Sequence, residues 1–404
     1  MKKIKPNLKN ALYIGTLCAV SYLAVYFARN IMSVASNSMI NSGFDEGYPK
    51  LAGSFFFFFY AVGQLINGIV GDKVKAKYML SFGLFLAGIT NIIFAFVAVN
   101  DKELALFIYG LTGFFLAMIY GPMTKVVSEN TDPIYTTRCS LGYTFASFFG
   151  SPLAGILAGF LAWQSVFTVG SVILFVMAIC CFACFTVFER KGIVKYGQFK
   201  TEKNNGEKSS FIENVRLLAK HRFIKFSLIA IITGIIRTSV VALLPIYFKN
   251  HLGFTGEGEA EFIFSITTLI ISASAFIAVF VYERLGHNMD KTILLMFILS
   301  AIFFACTFFI NHPIVNIVFI TLAIMAADSS STMLWSNYCP SLRDTGMVSG
   351  ATGFLDFLSY MAAAGSNAFS SMVSNWRILI AIWFGLMVIG IIISLPFDKM
   401  KKNN

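Results

Sequence analysis

The sequence predicts an all-α polytopic membrane protein of about twelve transmembrane helices, arranged as two pseudo-symmetric six-helix halves. Three observations predict it. Charged residues are only 13% of the 404, about half the share found in a soluble domain. Apolar runs of about 20 residues, the length that crosses a bilayer, recur along the whole chain. Landmarks of the first half also return in the second: Asp72-Lys73 as Glu283-Arg284 after 211 residues, Arg138 as Arg343 after 205, and Arg29 as Arg237 after 208. Offsets near half the chain length indicate a duplicated unit.

Apolar runs bounded by charges and turn residues place the spans at 11–38, 51–71, 78–99, 104–126, 138–162, 164–188, 223–248, 260–282, 291–310, 313–337, 346–372 and 378–395. The long hydrophilic connection, 189–222, contains TEKNNGEKSS and reads as a linker between a first bundle, 1–188, and a second, 223–404. A short surface helix is expected within it over Phe211–Leu218. The first span lacks a small-residue cleavage site and is expected to be retained.

Net charge is +11, which invites a nucleic-acid reading, but its distribution argues for topology instead. With the N-terminus assigned inside, 25 of the 31 Lys and Arg fall on the inner side, four outside (Lys50, Lys102, Lys249, Arg377) and two within spans. That asymmetry orients a cell-membrane protein of the inner (cytoplasmic) membrane with both termini cytoplasmic. No nucleic-acid partner is expected, and the chain is expected to work as a monomer in the lipid bilayer. Seven cysteines show no pairing or metal-ligand spacing, so neither a disulfide framework nor a metal site is indicated. No phosphate-loop motif and no catalytic constellation appear, which argues against a pump and an enzyme; no cofactor is expected.

The two intramembrane arginines carry the functional reading. Tyr22, Tyr26, Arg29, Ser33 and Ser36 follow at helical steps and share one face of the first span. Arginine within a span costs about 2.5–3.5 kcal/mol on insertion scales, so it faces a wet cavity or a partner, or else snorkels to the interface. Arg237 lies about 15 residues into span seven, with Thr233 one turn before it and Tyr247 on the same face. Two guanidiniums suit phosphate or carboxylate, because each offers planar, bidentate donors. A small anionic substrate follows, unless Asp356 or Asp328 neutralises the arginines within the protein. Asp356 and Asp328 are read as structural counter-ions, proton-coupling groups or substrate contacts. Polar faces add Tyr60, Gln64 and Asn67 of span two, Tyr120 of span four, Tyr143 and Ser147 of span five, and Trp335 of span ten.

Gly68-Ile-Val-Gly71-Asp72-Lys73-Val-Lys75-Ala-Lys77 fits the G-x-x-x-D-[R/K]-x-x-x-[R/K] signature of the major facilitator superfamily. The chain is identified by resemblance as a member. Tyr26-x-x-Arg29, Arg237 with Pro245 and Tyr247, the tract LSFGLFLAGITNIIFAF, and Gly346, Gly350 and Gly353 resemble the organophosphate:phosphate antiporters, which include glycerol-3-phosphate and hexose-phosphate transporters. The resemblance covers nearly the whole chain. It implies two parallel six-helix repeats around a midplane site, alternating access, phosphoryl binding by Arg29 and Arg237, and exchange for inorganic phosphate. Asp72, Lys73, Glu283 and Arg284 would make the gate contacts.

The chain departs from that family's pattern at three places. Asn30 stands where a Lys is usual, Gln64 replaces another Lys, and Ala146 lies near the position of a span-five His. The departures lower the site's positive charge and leave room for a monoanion. The alternative expectation is therefore a proton-coupled carrier of a carboxylate or acidic sugar, using Asp356 or Asp328. A membrane sensor signalling through the central loop is a third reading.

Overall fold

The computed structural model of the chain describes residues 8–71, 74–196, 222–339 and 348–395. It divides into two compact units, Met1–Gly206 and Glu207–Asn404. The expected surface helix over Phe211–Leu218 lies outside the described residues.

The first unit contains α1 (Leu8–Asn41), α2 (Gly47–Gly71), α3 (Ala76–Val97), α4 (Lys102–Leu116), α5 (Tyr120–Asn130), α6 (Pro133–Ala158) and α7 (Trp163–Arg190). The second contains α8 (Phe223–Gly234), a π-helical segment Ile235–Val240, α9 (Val241–Asn250), α10 (Glu259–Ile271), α11 (Ser274–Arg284), α12 (Met289–Phe309), α13 (Pro313–Met333), a second π-helical segment Leu334–Tyr338, α14 (Val348–Met372) and α15 (Trp376–Ser394). Some spans are therefore composite, such as α8 with its π-segment and α9, which together cover Phe223–Asn250.

Among the described residues, ten helical runs are long and apolar enough to cross a membrane. Helices α6 and α14, with 26 and 25 residues, also have the length of a span. Side chains such as Ile179 (67% exposed) and Phe276 (65%) point away from their own units, as a lipid-solvated surface requires.

Short polar sequences fix where helices begin. Asp101 accepts a hydrogen bond from the Leu104 backbone N–H (3.0 Å) at the start of α4, and Asn288 does the same for Lys291 (3.0 Å) at the start of α12. Pro313 opens α13, where its missing N–H costs nothing.

The two units repeat one packing scheme. In the first, α1 lies against α6, α3 against α7, and α2 against α4; in the second, α8 lies against α14, α12 against α15, and α11 against α13. Lipid supplies no hydrophobic drive for helix association, so close backbone contact and interhelical hydrogen bonds hold these pairs. A Cβ on Gly150 of α6 would sit 2.5 Å from the Tyr26 Cβ, and one on Gly234 of α8 would sit 2.6 Å from the Ser359 carbonyl oxygen of α14. The two glycines lie at equivalent helix pairs of their units but on opposite partners, Gly150 on α6 facing α1 and Gly234 on α8 facing α14. Asn91 of α3 donates to the Phe167 carbonyl (3.0 Å) and to Ser171 Oγ (3.2 Å) of α7, and Asn67 of α2 donates to the Phe114 carbonyl of α4 (3.2 Å).

Charges close helix ends. Glu189, at the end of α7, accepts from Lys75 Nζ (2.6 Å) and from Lys77 beside the start of α3. The Glu189 bond raises the pKa of the Lys75 ammonium. In the second unit Asp290 accepts from Arg222 (2.8 Å) and Lys225 (2.9 Å).

Asn316 is a buried, multiply bonded polar side chain of the second unit. It is 1% exposed, donates to the carbonyls of Thr307 (2.9 Å) and Ile310 (2.8 Å), and accepts from the Tyr247 hydroxyl (2.5 Å). It thereby ties the α12–α13 turn to α9. Asn316→Ala strands three buried groups and is expected to cost about 2 kcal/mol. A thermal melt in detergent should show a drop of several degrees, and an unchanged melting temperature would sink this account.

Candidate functional site

In the first unit, the aromatic residues on the polar face of α1 meet those of α2, α5 and α6. The Arg29 guanidinium is half-buried, with its Cζ 5.3 Å from the ring centre of Tyr26, 5.3 Å from that of Tyr60 and 5.5 Å from that of Phe57. Rings present negative faces to a cation and hold its plane without hydrating it. Two turns before Arg29, Tyr22 packs against Tyr26 (5.0 Å between centres), Tyr120 (5.6 Å) and Tyr143 (5.9 Å). The Tyr143 hydroxyl is 3.4 Å from Thr124 Oγ1. The structure thus brings Tyr22, Tyr26, Arg29, Tyr60, Tyr120 and Tyr143 into one assembly, as far as a single unit can hold them.

The remaining positions of this unit sort by their bonds. Gln64 is half-buried on α2, one turn beyond Tyr60. Asn67 is 4% exposed and spends its amide on the α4 backbone, so it packs helices. Asn30, where a second cation would add charge, folds back to donate to the Tyr26 carbonyl (2.7 Å). Asp72 and Lys73 lie outside the described residues, as do the side chains of Ala146 and Ser147.

In the second unit, Arg237 sits in the π-segment Ile235–Val240, half-buried. Its Nη1 donates to Ser331 Oγ of α13 (3.1 Å), and Trp335 Nε1 donates to the same oxygen (3.0 Å). Trp335 itself belongs to the second π-segment. A π-turn inserts a residue into the helical ladder and re-aims the side chains around it, a device frequent at functional sites. Pro245, five residues beyond the end of the first π-segment, removes a further backbone N–H from the span that carries Arg237.

Thr233 and Tyr247 are brought elsewhere. Thr233 donates to its own helix at Ile229 (2.8 Å), and the fully buried Tyr247 is engaged with Asn316. Asp356 is half-buried on α14, the helix packed against α8 and the π-segment that carries Arg237. Asp328 on α13 accepts from Ser274 Oγ (2.5 Å). Glu283 and Arg284 are exposed at the end of α11, with the Arg284 guanidinium 5.1 Å from the Phe280 ring centre.

Sequence reasoning missed two contributors. Phe57 flanks Arg29 but lies in a run of five phenylalanines, where nothing marks one ring from the next. Ser331 was visible only as one of three serines beside Asp328; its role as the shared acceptor of Arg237 and Trp335 comes from packing.

A family model described as the Major Facilitator Superfamily matches residues 18–366. Among curated relatives, the chain is similar to a probable hexose phosphate transport protein of Chlamydia pneumoniae, 26% identical over 27% of this chain and 24% of that one. It is also similar to the glycerol-3-phosphate transporter of Bacillus subtilis, 25% identical over 43% of this chain and 40% of that one. A third likeness is to the membrane sensor protein UhpC of Salmonella typhimurium, 32% identical over 19% of this chain and 18% of that one. The matched stretches thus span less than half the length of each of these relatives. Among solved structures, a bacterial homolog of the human lysosomal transporter Spinster superposes with a TM-score of 0.76 at 12% identity, covering 96% of this chain and 97% of that one. That likeness is one of fold.

Proposed function

The chain belongs to the Major Facilitator Superfamily, and from that premise we propose that it exchanges a phosphate ester, a sugar phosphate or glycerol phosphate, for inorganic phosphate by alternating access. The observation that carries this reading is the pair of half-buried arginines on the first span of each unit. Arg29 is framed by three aromatic rings, and Arg237 is steadied by a neutral hydroxyl. Both guanidiniums engage the phosphoryl group, and the tyrosines about Arg29 line the path of the organic portion. The names of the Chlamydia and Bacillus relatives support the substrate class. A substrate that binds one state of the carrier better than the other shifts its population, and a dianion shared by two cations has that differential affinity.

Asp72 and Lys73, with Glu283 and Arg284, make the gate contacts that break as the carrier switches. The excess of Lys and Arg on alternate loops supports an inner membrane location with both termini cytoplasmic. The carrier acts as a monomer.

The test is uptake of labelled phosphate into proteoliposomes loaded with phosphate. Exchange competed by glucose 6-phosphate or glycerol 3-phosphate is the expected result. Folded protein that binds these esters without moving them would overturn the reading in favour of a sensor, and protein that does neither would overturn the substrate class.

A further inference from the structure

The π-turn that carries Arg237 is fastened to α14 on both sides of the arginine. Helix α14 packs along α8 and along the π-segment Ile235–Val240 that continues it. Three residues before Arg237, Gly234 brings the backbone so close to Ser359 of α14 that no room is left for a Cβ. Two residues after Arg237, the buried Ser239 donates from its Oγ to Asn367 Oδ1 of α14 at 2.6 Å. Ser366 Oγ stands 2.9 Å from the same serine oxygen, and Asn367 is 1% exposed.

The arginine itself reaches a different helix, where its Nη1 donates to Ser331 Oγ of α13. Its reach depends on the turn. A π-turn carries one residue more than an α-turn and is rare, so its surroundings must keep it in place. One residue of helix is about 100° of rotation. A turn that relaxed to α-geometry would swing the guanidinium by an angle of that order, away from Ser331. Thr238, between the arginine and Ser239, has a buried hydroxyl with no hydrogen-bond partner among the described residues, so that side chain does not hold the turn. Ser239 does, and Asn367 is its buried acceptor.

We propose that Asn367 is a positioning residue for Arg237. By binding the Ser239 hydroxyl it keeps the π-turn formed, and the turn sets where the guanidinium stands. The consequence for transport rests on the anion-binding role proposed for Arg237; the hold on the turn does not.

Two measurements on the full chain separate these. Amide hydrogen exchange reads the hold. In Asn367→Ala, and in the milder Ser239→Ala, exchange across Ile235–Val240 should quicken about tenfold, the share of one buried hydrogen bond, while α12 and α15 keep the wild-type rate. Phosphate exchange in proteoliposomes reads the arginine. Asn367→Ala should lower it about tenfold in the wild-type chain. Added to Arg237→Lys, which has no planar fork left to aim, it should lower the remaining exchange less than about twofold. Should Asn367→Ala not fold, Ser239→Ala carries both measurements. A residue that merely supports the fold would cost the same factor in both backgrounds, and that result overturns the proposal. So does a π-segment whose amides exchange at the wild-type rate in both variants. If folded wild type moves no phosphate, the substrate reading falls, and amide exchange alone decides whether Asn367 holds the turn.

Discussion

Arg237→Ala should reduce phosphate exchange at least about a hundredfold, and Arg29→Ala should match it. A charge-assisted hydrogen bond to an ionised partner contributes about 1.5–3 kcal/mol, and a guanidinium that grips a phosphoryl group with its fork makes two. Two such bonds total about 3–6 kcal/mol, and losing about 2.7 kcal/mol of that is two decades of rate. Arg237→Lys should recover a fraction of the exchange, since it restores charge without the planar fork. The variant also frees Ser331 and loosens Trp335, so a structural explanation must be separated from a functional one. Thermal melts do this: exchange lost at an unchanged melting temperature places the effect on substrate, while a parallel collapse of both would count against it. Wild-type exchange in either alanine variant removes the two-arginine site altogether.

The second large effect is on folding. Gly113→Leu should abolish recovery of monodisperse protein. A Cβ at Gly113 of α4 would lie 2.3 Å from the Phe56 carbonyl oxygen of α2, and one at Gly63 of α2 would lie 2.8 Å from the Ala117 Cβ. Each helix thus offers a glycine to the other's backbone, and the two pass at a distance no side chain allows. Overpacking of this kind costs about 1–3 kcal/mol even where side chains give way, and here the obstacle is backbone. Pushing α2 outward also stretches the Asn67–Phe114 bond and moves Phe57 and Tyr60 away from Arg29. Gly113→Ala should melt several degrees lower than the wild type. Gly121→Ala, whose added Cβ meets nothing within 4 Å, is the matched control. Size-exclusion profiles in detergent read both, and a well-behaved Gly113→Leu protein would refute the contact.

Much of this fold could be read before any coordinates, for a physical reason. A bilayer demands long apolar helices and sorts basic loops to one side, so hydropathy and charge together encode the spans and the repeat. The arginines stood out because a guanidinium in an apolar run is expensive, and Tyr22, Tyr26 and Arg29 shared a face because helical spacing requires it. The limits were set by contacts that spacing cannot express. Tyr247 falls on the Arg237 face by periodicity, yet the buried amide of Asn316, 69 residues away, claims its hydroxyl. The π-segments around Arg237 and Trp335 leave no mark in hydropathy, since one inserted residue does not disturb an apolar run. The bond from Ser274 to Asp328 likewise joins residues 54 apart, which spacing cannot express.

The bond from Trp335 to Ser331 has an optical consequence. Of the four tryptophans in the chain, Trp335 shares its acceptor oxygen with the Arg237 guanidinium. An anion that draws Arg237 aside leaves Ser331 to the indole alone, and the emission of an indole follows the polarity and bonding of its N–H. With Trp163, Trp376 and Trp383 changed to phenylalanine, the protein would carry a single native chromophore wired to the arginine, able to report occupancy of that cation in real time without an added label.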